Sequence, residues 1–219
     1  MSIKIFFDMD GVLVDFAGGA ADALQQALDS GDTSRRQFRR LINYDGPDRE
    51  EPITAEYLET ITTIKDAKGE RTKWMKRVND AVFAVVGTGG HPYWSTLPSL
   101  PGYNQMITAA QDLVGVENVF VCTAPVQDKD GGCESGKRDW IAKNTNIPAN
   151  QVYVTEDKPS VLRDFPGENC ILVDDRIKYV NAWEQGGGTA IRHTPPATMS
   201  TVQNTINQLK LLVNSNESE

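Results

Sequence analysis

A doubly wound, Rossmann-like parallel α/β sheet, with a helical cap inserted after the first strand, is the fold this sequence predicts. Three observations predict it. Short apolar runs recur at Ile3 to Phe7, Asn118 to Cys122, Gln151 to Val154, Cys170 to Val173 and Thr189 to Ile191. Helical patterns separate the later runs, the alternation that a parallel sheet with right-handed crossovers produces. Between the first two runs, from about Phe16 to His91, the pattern is helical throughout and too long for a simple crossover.

Taken in order, Ile3 to Phe7 is a buried strand that stops at Asp8-Met9-Asp10-Gly11. The insertion follows. Gly18 to Leu28 is Ala-rich, Arg35 to Ile42 basic, Ala55 to Ile64 amphipathic, and Thr72 to Val86 reads as a long helix, with Pro47 and Pro52 as punctuation. Gly87-Thr88-Gly89-Gly90-His91-Pro92 has neither a GxGxxG pattern nor a P-loop lysine, so it reads as the return hinge rather than a phosphate cradle. Tyr103 to Val114, Ser135 to Asn144 and Lys178 to Glu184 are crossover helices. Thr198 to Val213 closes the fold as an amphipathic helix, and Asn214 to Glu219 is a polar tail. The expected division is a core of residues 1–17 and 92–213, a cap of 18–91 and a flexible tail of 214–219.

Composition narrows the function classes. At 219 residues, 39% apolar and 24% charged, the chain can bury a sizeable core. Its formal net charge of -8 repels a polyphosphate backbone, so long nucleic acid is not an expected partner. A small phosphorylated substrate remains compatible, because a few local cations and a metal overturn the global sign. No stretch approaches the roughly 20 apolar residues of a membrane span, and the opening apolar run is too short for a signal peptide. Cys122, Cys133 and Cys170 lack metal-type spacing; Cys122 and Cys170 read as buried thiols, and Cys133, in a Gly-rich loop, as the exposed one. A reduced, cytoplasmic setting is expected. His91 and His193, the two histidines, are too far apart in sequence to point to a zinc site or a His-dependent triad. A basic group, Arg35, Arg36, Arg39 and Arg40, reads as a solvated helix face. Asp128-Lys129-Asp130-Gly131-Gly132 lacks the remaining ligand spacing of a calcium loop.

The chemistry gathers at strand ends. The first strand delivers Asp8 and Asp10, the second Thr123, the third Glu156-Asp157-Lys158 and the fourth Asp174-Asp175. In a parallel sheet these ends share one edge, where open α/β sheets bind ligands. Two carboxylate pairs make a hard, oxygen-rich site suited to Mg²⁺, and a hydroxyl with a lysine suits a phosphoryl group.

Asp8-Met9-Asp10-Gly11, then Thr123, then a lysine, then Asp174-Asp175 resembles the four motifs of the haloacid dehalogenase-like phosphohydrolases. Within that superfamily the chain is similar to the 5′(3′)-deoxyribonucleotidases. The closer similarity rests on Asp8 to Phe16, Leu97 to Gly102, Cys122-Thr123-Ala124-Pro125, Lys137 three residues before Trp140, Glu156-Asp157-Lys158 and Ile171 to Arg176. It covers roughly residues 1–17 and 93–192 and leaves the cap unmatched.

The resemblance implies roles. Asp8 is the nucleophile that forms an aspartyl-phosphate. Asp10 protonates the leaving oxygen and later deprotonates water. Mg²⁺ is held by the Asp8 carboxylate, the Asp10 carbonyl and a carboxylate of the fourth motif, Asp175 directly with Asp174 in the outer shell or sharing the task. Thr123 and Ala124 bind the phosphoryl group. Lys137 and Lys158 compete for the third-motif role of countering its charge, Lys137 by its spacing from Thr123 and Lys158 by its place at a strand end. Phe16 matches an aromatic that lines the base pocket in the deoxyribonucleotidases, with core packing as the alternative; Trp74, Tyr93 and Trp94 are other candidate pocket aromatics, for each of which core packing is the favoured reading. Gln127 stands near where family members carry a basic phosphate contact, and Lys129 is a substitute for it.

The expectation is therefore an Mg²⁺-dependent phosphomonoesterase acting on deoxynucleoside monophosphates. A phosphatase for another small metabolite, such as a sugar phosphate, and a non-catalytic phosphate-binding protein are the alternatives. Cap helices allow a homodimer, although no exposed heptad pattern argues for one.

Overall fold

In the computed structural model, which describes residues 2–30, 53–58, 73–126 and 131–216, five strands form one parallel sheet. They are β1 (Ile3–Phe7), β2 (Val119–Thr123), β3 (Val152–Val154), β4 (Asn169–Asp174) and β5 (Thr189–Arg192). Their spatial order is β3-β2-β1-β4-β5. Every expected strand is present to within one residue at either end. β1 lies at the centre, with Phe7 opposite Val121 of β2 and Val173 of β4. Chain direction around the sheet reverses at β1, and the crevice at such a reversal is where this class of sheet presents ligand-binding groups.

The strands alternate faces as a two-residue period requires. Ile3, Ile5 and Phe7 point into the larger core, while Phe6 points into a smaller one with Phe120, Leu172 and Trp183. Phe6 stacks on Phe120 at 4.9 Å and meets Trp183 at 5.2 Å, so aromatic area fills the smaller face.

Six long helices are described: α1 (Phe16–Asp29), α2 (Lys73–Ser95), α3 (Tyr103–Val114), α4 (Gly132–Asn144), α5 (Ile177–Gln185) and α6 (Met199–Asn216). Asp15 caps α1, its Oδ1 accepting from the Gly18 N–H at 2.7 Å. The segment expected as a return hinge, Gly87 to Pro92, is instead helical and belongs to α2. The turn is compressed into one residue. Gly90 takes φ 57° and ψ −160°, a backbone open to glycine, and Pro92 then falls in the first turn of the renewed helix, where its missing N–H has no partner to lose.

Cys133 also departs from expectation. It is buried, 1% exposed, because α4 begins at Gly132 and turns the residue inward, where its Sγ accepts from the Val126 N–H. Cys122 and Cys170 are buried as expected. Of the basic group, Arg35, Arg36, Arg39 and Arg40 lie outside the described residues, as do Gln127, Lys129 and the side chain of Trp74. No helix among the described residues is long and apolar enough to cross a membrane.

Candidate active site

The loop after β1 is built around a single acceptor. The Met9 carbonyl receives the N–H groups of Val12, Leu13 and Val14, folding Asp8 to Asp15 back on itself. Asp15 N–H to Pro98 O and Leu100 N–H to Leu13 O fasten the loop to the start of α3. Gly11 takes φ +77°, and a Cβ there would lie 2.7 Å from Asp175 Oδ2. The glycine of the Asp8-Met9-Asp10-Gly11 run thus permits both the turn and the approach of Asp175.

Three carboxylates converge beside it. Asp8, Asp174 and Asp175 each offer an oxygen, all within 4.8 Å of one another. Asp8 is fixed by its N–H bond to Val173 O, and Asp174 closes β4 with its carbonyl accepting from His193 N–H. The two residues of the pair differ in occupancy. Asp174 Oδ2 accepts from Lys158 at 2.6 Å and its Oδ1 from the Arg176 N–H at 2.9 Å. Asp175 Oδ1 is buried with no partner among the described residues.

Two buried lysines divide the remaining charges. Lys158 Nζ sits 2.9 Å from Asp8 Oδ1 and 2.6 Å from Asp174 Oδ2, over the Tyr179 ring at 4.5 Å. Lys137, on α4, donates to Asp10 Oδ2 at 2.6 Å, Thr123 Oγ1 at 3.0 Å and the Ala124 carbonyl at 2.8 Å. Both lysines are wholly buried. The sequence left open which of them occupies the third-motif position; it is Lys158 that touches Asp8, whereas Lys137 is clamped on Asp10.

Burial dominates the electrostatics. It pushes Asp174 up to about 6, aided by Asp8 and opposed by Lys158. Asp175 rises well above the ordinary carboxylate range through burial, then Asp8 and Asp174, with Arg176 opposing. Asp10 is raised by burial against the pull of Lys137. Burial alone would depress Lys158, but Asp8 and Asp174 outweigh it and hold its ammonium above its ordinary value. Carboxylates raised in this way lack positive charge, and the donors are all oxygen. A hard divalent cation such as Mg²⁺ would fit both facts, and the unpartnered Asp175 Oδ1 would be available to it.

Thr123, at the end of β2, and Ala124 stand beside Lys137, so the structure brings Asp8, Asp10, Thr123, Ala124, Lys137, Lys158, Asp174 and Asp175 to one sheet edge. Phe16 lies at the start of α1, partly exposed, with its ring stacked on Trp94 at 5.8 Å and 14°. Tyr93 meets Trp94 edge-on at 5.0 Å. Sequence reasoning missed Tyr179 beneath Lys158 and the contact of Trp94 with Lys137. It also missed Gly132 and Gly136, whose four-residue spacing on α4 was the legible signal of a close helix crossing.

The overall fold has a solved counterpart. A putative haloacid dehalogenase-like hydrolase from Burkholderia xenovorans superposes with a TM-score of 0.51 at 15% identity, over 94% of this chain and 97% of that one. The chain has the haloacid dehalogenase-like fold. Two other solved structures match at lower scores. CbbY from Rhodobacter sphaeroides, in complex with phosphate, matches at 17% identity and TM-score 0.43, over 91% of this chain and 89% of that one. A haloacid dehalogenase-like family protein from Streptococcus pneumoniae matches at 15% and 0.45, over 94% and 90%. No protein-family model matches the sequence, and no curated protein matches it.

Proposed function

We propose that the protein is an Mg²⁺-dependent phosphomonoesterase whose substrates are deoxynucleoside monophosphates. The observation that carries the reading is the Asp8–Asp174–Asp175 cluster set against Lys158, with Asp10, Lys137 and Thr123 alongside. Such a site is shaped for a dianionic phosphoryl group and a hard cation. The substrate class rests on the sequence similarity to the deoxyribonucleotidases and on the partly exposed Phe16 ring.

Asp8, Asp175 and the Asp10 carbonyl would hold the cation, while Asp174 is engaged by Lys158 and the Arg176 N–H. Bound Mg²⁺ supplies charge neutralisation, so that an anionic carboxylate and an anionic phosphate can approach. The Asp8 carboxylate attacks phosphorus. An Asp8 O–P bond forms as the ester P–O bond breaks, and the Asp10 proton passes to the departing oxygen. A water then attacks the aspartyl-phosphate, giving its proton back to Asp10, and phosphate leaves as the Asp8 carboxylate is restored. Burial raises Asp10 toward the protonated form that the first step needs. Thr123, and Lys158 beside Asp8, offset the charge on the phosphoryl oxygens.

Phosphate release from a panel of deoxy- and ribonucleoside monophosphates and sugar phosphates tests this, run with Mg²⁺ or with EDTA. Turnover concentrated on deoxynucleotides, lost in EDTA and in Asp8→Asn, is expected. Turnover restricted to sugar phosphates overturns the substrate class, and none with any ester overturns the enzyme.

A further inference from the structure

Lys137 is saturated within the protein. Its three N–H donors go to Asp10 Oδ2, Thr123 Oγ1 and the Ala124 carbonyl. Donation to a substrate would sacrifice one of these bonds. With Oδ2 committed to Lys137, Asp10 has one free oxygen, Oδ1, which is buried and unpartnered among the described residues. Lys137 therefore decides which carboxylate oxygen faces the leaving group.

Beside these three bonds, Lys137 packs against Trp94. The indole ring lies 4.9 Å from Nζ, inside cation–π range, and is wholly buried. Phe16 stacks on the same indole at 5.8 Å. The Trp94 backbone is seated against α4 at Gly136, next to Lys137, where a Cβ would come within 2.6 Å of Trp94 Cβ. Gly132 makes the same allowance at His91, whose Nε2 also lies 2.8 Å from Asp139 Oδ2. The end of α2 is thus clamped to the helix that carries Lys137.

We propose that Trp94 is a positioning residue for proton transfer: its ring holds the Lys137 ammonium, and through it Asp10, so that Oδ1 meets the leaving oxygen. This rests on the phosphomonoesterase reading above. An error in Asp10 orientation slows water attack on the aspartyl-phosphate whatever the ester, but it slows formation of the aspartyl-phosphate only where the leaving group needs a proton. Alkyl phosphates, which expel a basic alkoxide, need one; 4-nitrophenyl phosphate expels a stable phenolate and does not.

The test compares kcat/KM, which reports only the steps through ester cleavage, for the best alkyl monoester and for 4-nitrophenyl phosphate in wild type, Trp94→Leu and Trp94→Phe, with circular dichroism reporting the fold. Trp94→Leu is expected to lower alkyl-ester kcat/KM by about 10- to 100-fold while lowering aryl-ester kcat/KM by less than about threefold. Trp94→Phe, which keeps an aromatic face, is expected to recover most of the alkyl-ester rate. Equal losses on both esters, or Phe no better than Leu, overturn the proposal while leaving the phosphatase standing. If Trp94→Leu fails to fold, the Phe variant decides alone: an alkyl-selective loss under about tenfold supports the role, and an equal loss on both esters refutes it. A wild type inactive on both esters sinks the reading beneath it instead.

Discussion

At the scale of single residues, Lys158 is the clearest point of leverage. It is wholly buried between Asp8 and Asp174, and both contacts are 2.9 Å or shorter. Removing one partner of a buried ion pair leaves the other charge without compensation, at a cost of about 3–5 kcal/mol. Lys158→Met is therefore expected to lower unfolding free energy by roughly that amount, read from a urea titration; an unchanged midpoint would show that Asp8 and Asp174 simply protonate. His193 is a second such residue. It is buried, its Nδ1 lies 2.9 Å from Thr205 Oγ1, and burial lowers its pKa below the ordinary 6.5. Between the lowered folded value and 6.5, the unfolded chain takes up a proton that the folded chain refuses, so stability falls as pH drops through that window. Titrating His193→Gln alongside wild type isolates this part, which the variant should lack.

Among elements, the crossing of α2 and α4 is the tightest junction described. Gly136 places α4 against Trp94 Cβ and the His91 carbonyl, at 2.6 and 2.7 Å from where a Cβ would stand. A backbone carbonyl cannot rotate aside as a flexible side-chain end would. Gly136→Ala is expected to cost about 1–3 kcal/mol by overpacking. A Tm equal to wild type would mean that the helices separate freely. β1 shows the opposite relation between sequence and element. Its alternation put Phe6 on one face and Ile5 and Phe7 on the other, and the strand forms where its pattern places it. Gly87 to Pro92 misled because three glycines and a proline usually break a helix, whereas here a single kink at Gly90 absorbs them.

For the molecule as a whole, the proposed cation would link function to stability. A ligand that binds only the folded state raises unfolding free energy by about 2.7 kcal/mol at a hundred times its Kd. Mg²⁺ is expected to raise Tm in wild type, and Asp175→Asn should abolish most of that rise, since Asp175 Oδ1 is the unpartnered oxygen. A full Mg²⁺ shift in the variant would move the ligand role to Asp174. The readout is thermal, so it stands apart from turnover.

The sequence by itself determined the sheet, its strand ends and the residues gathered there, because apolar periodicity is local and a parallel sheet sends every strand terminus to one edge. Asp8, Asp10, Thr123 and Asp174-Asp175 were legible for that reason. Tertiary structure alone decided how the charges pair. Lys137 and Lys158 are 21 positions apart in the chain, and nothing local tells which reaches Asp8 and which Asp10. Pairing of β4 with β1 sets Asp174 beside Asp8, Lys158 bridges the two from the turn that follows β3, and α4 lowers Lys137 onto Asp10. The burial of Cys133 and the seating of Trp94 on Lys137 likewise depend on how α2 and α4 meet, a contact between segments distant in sequence.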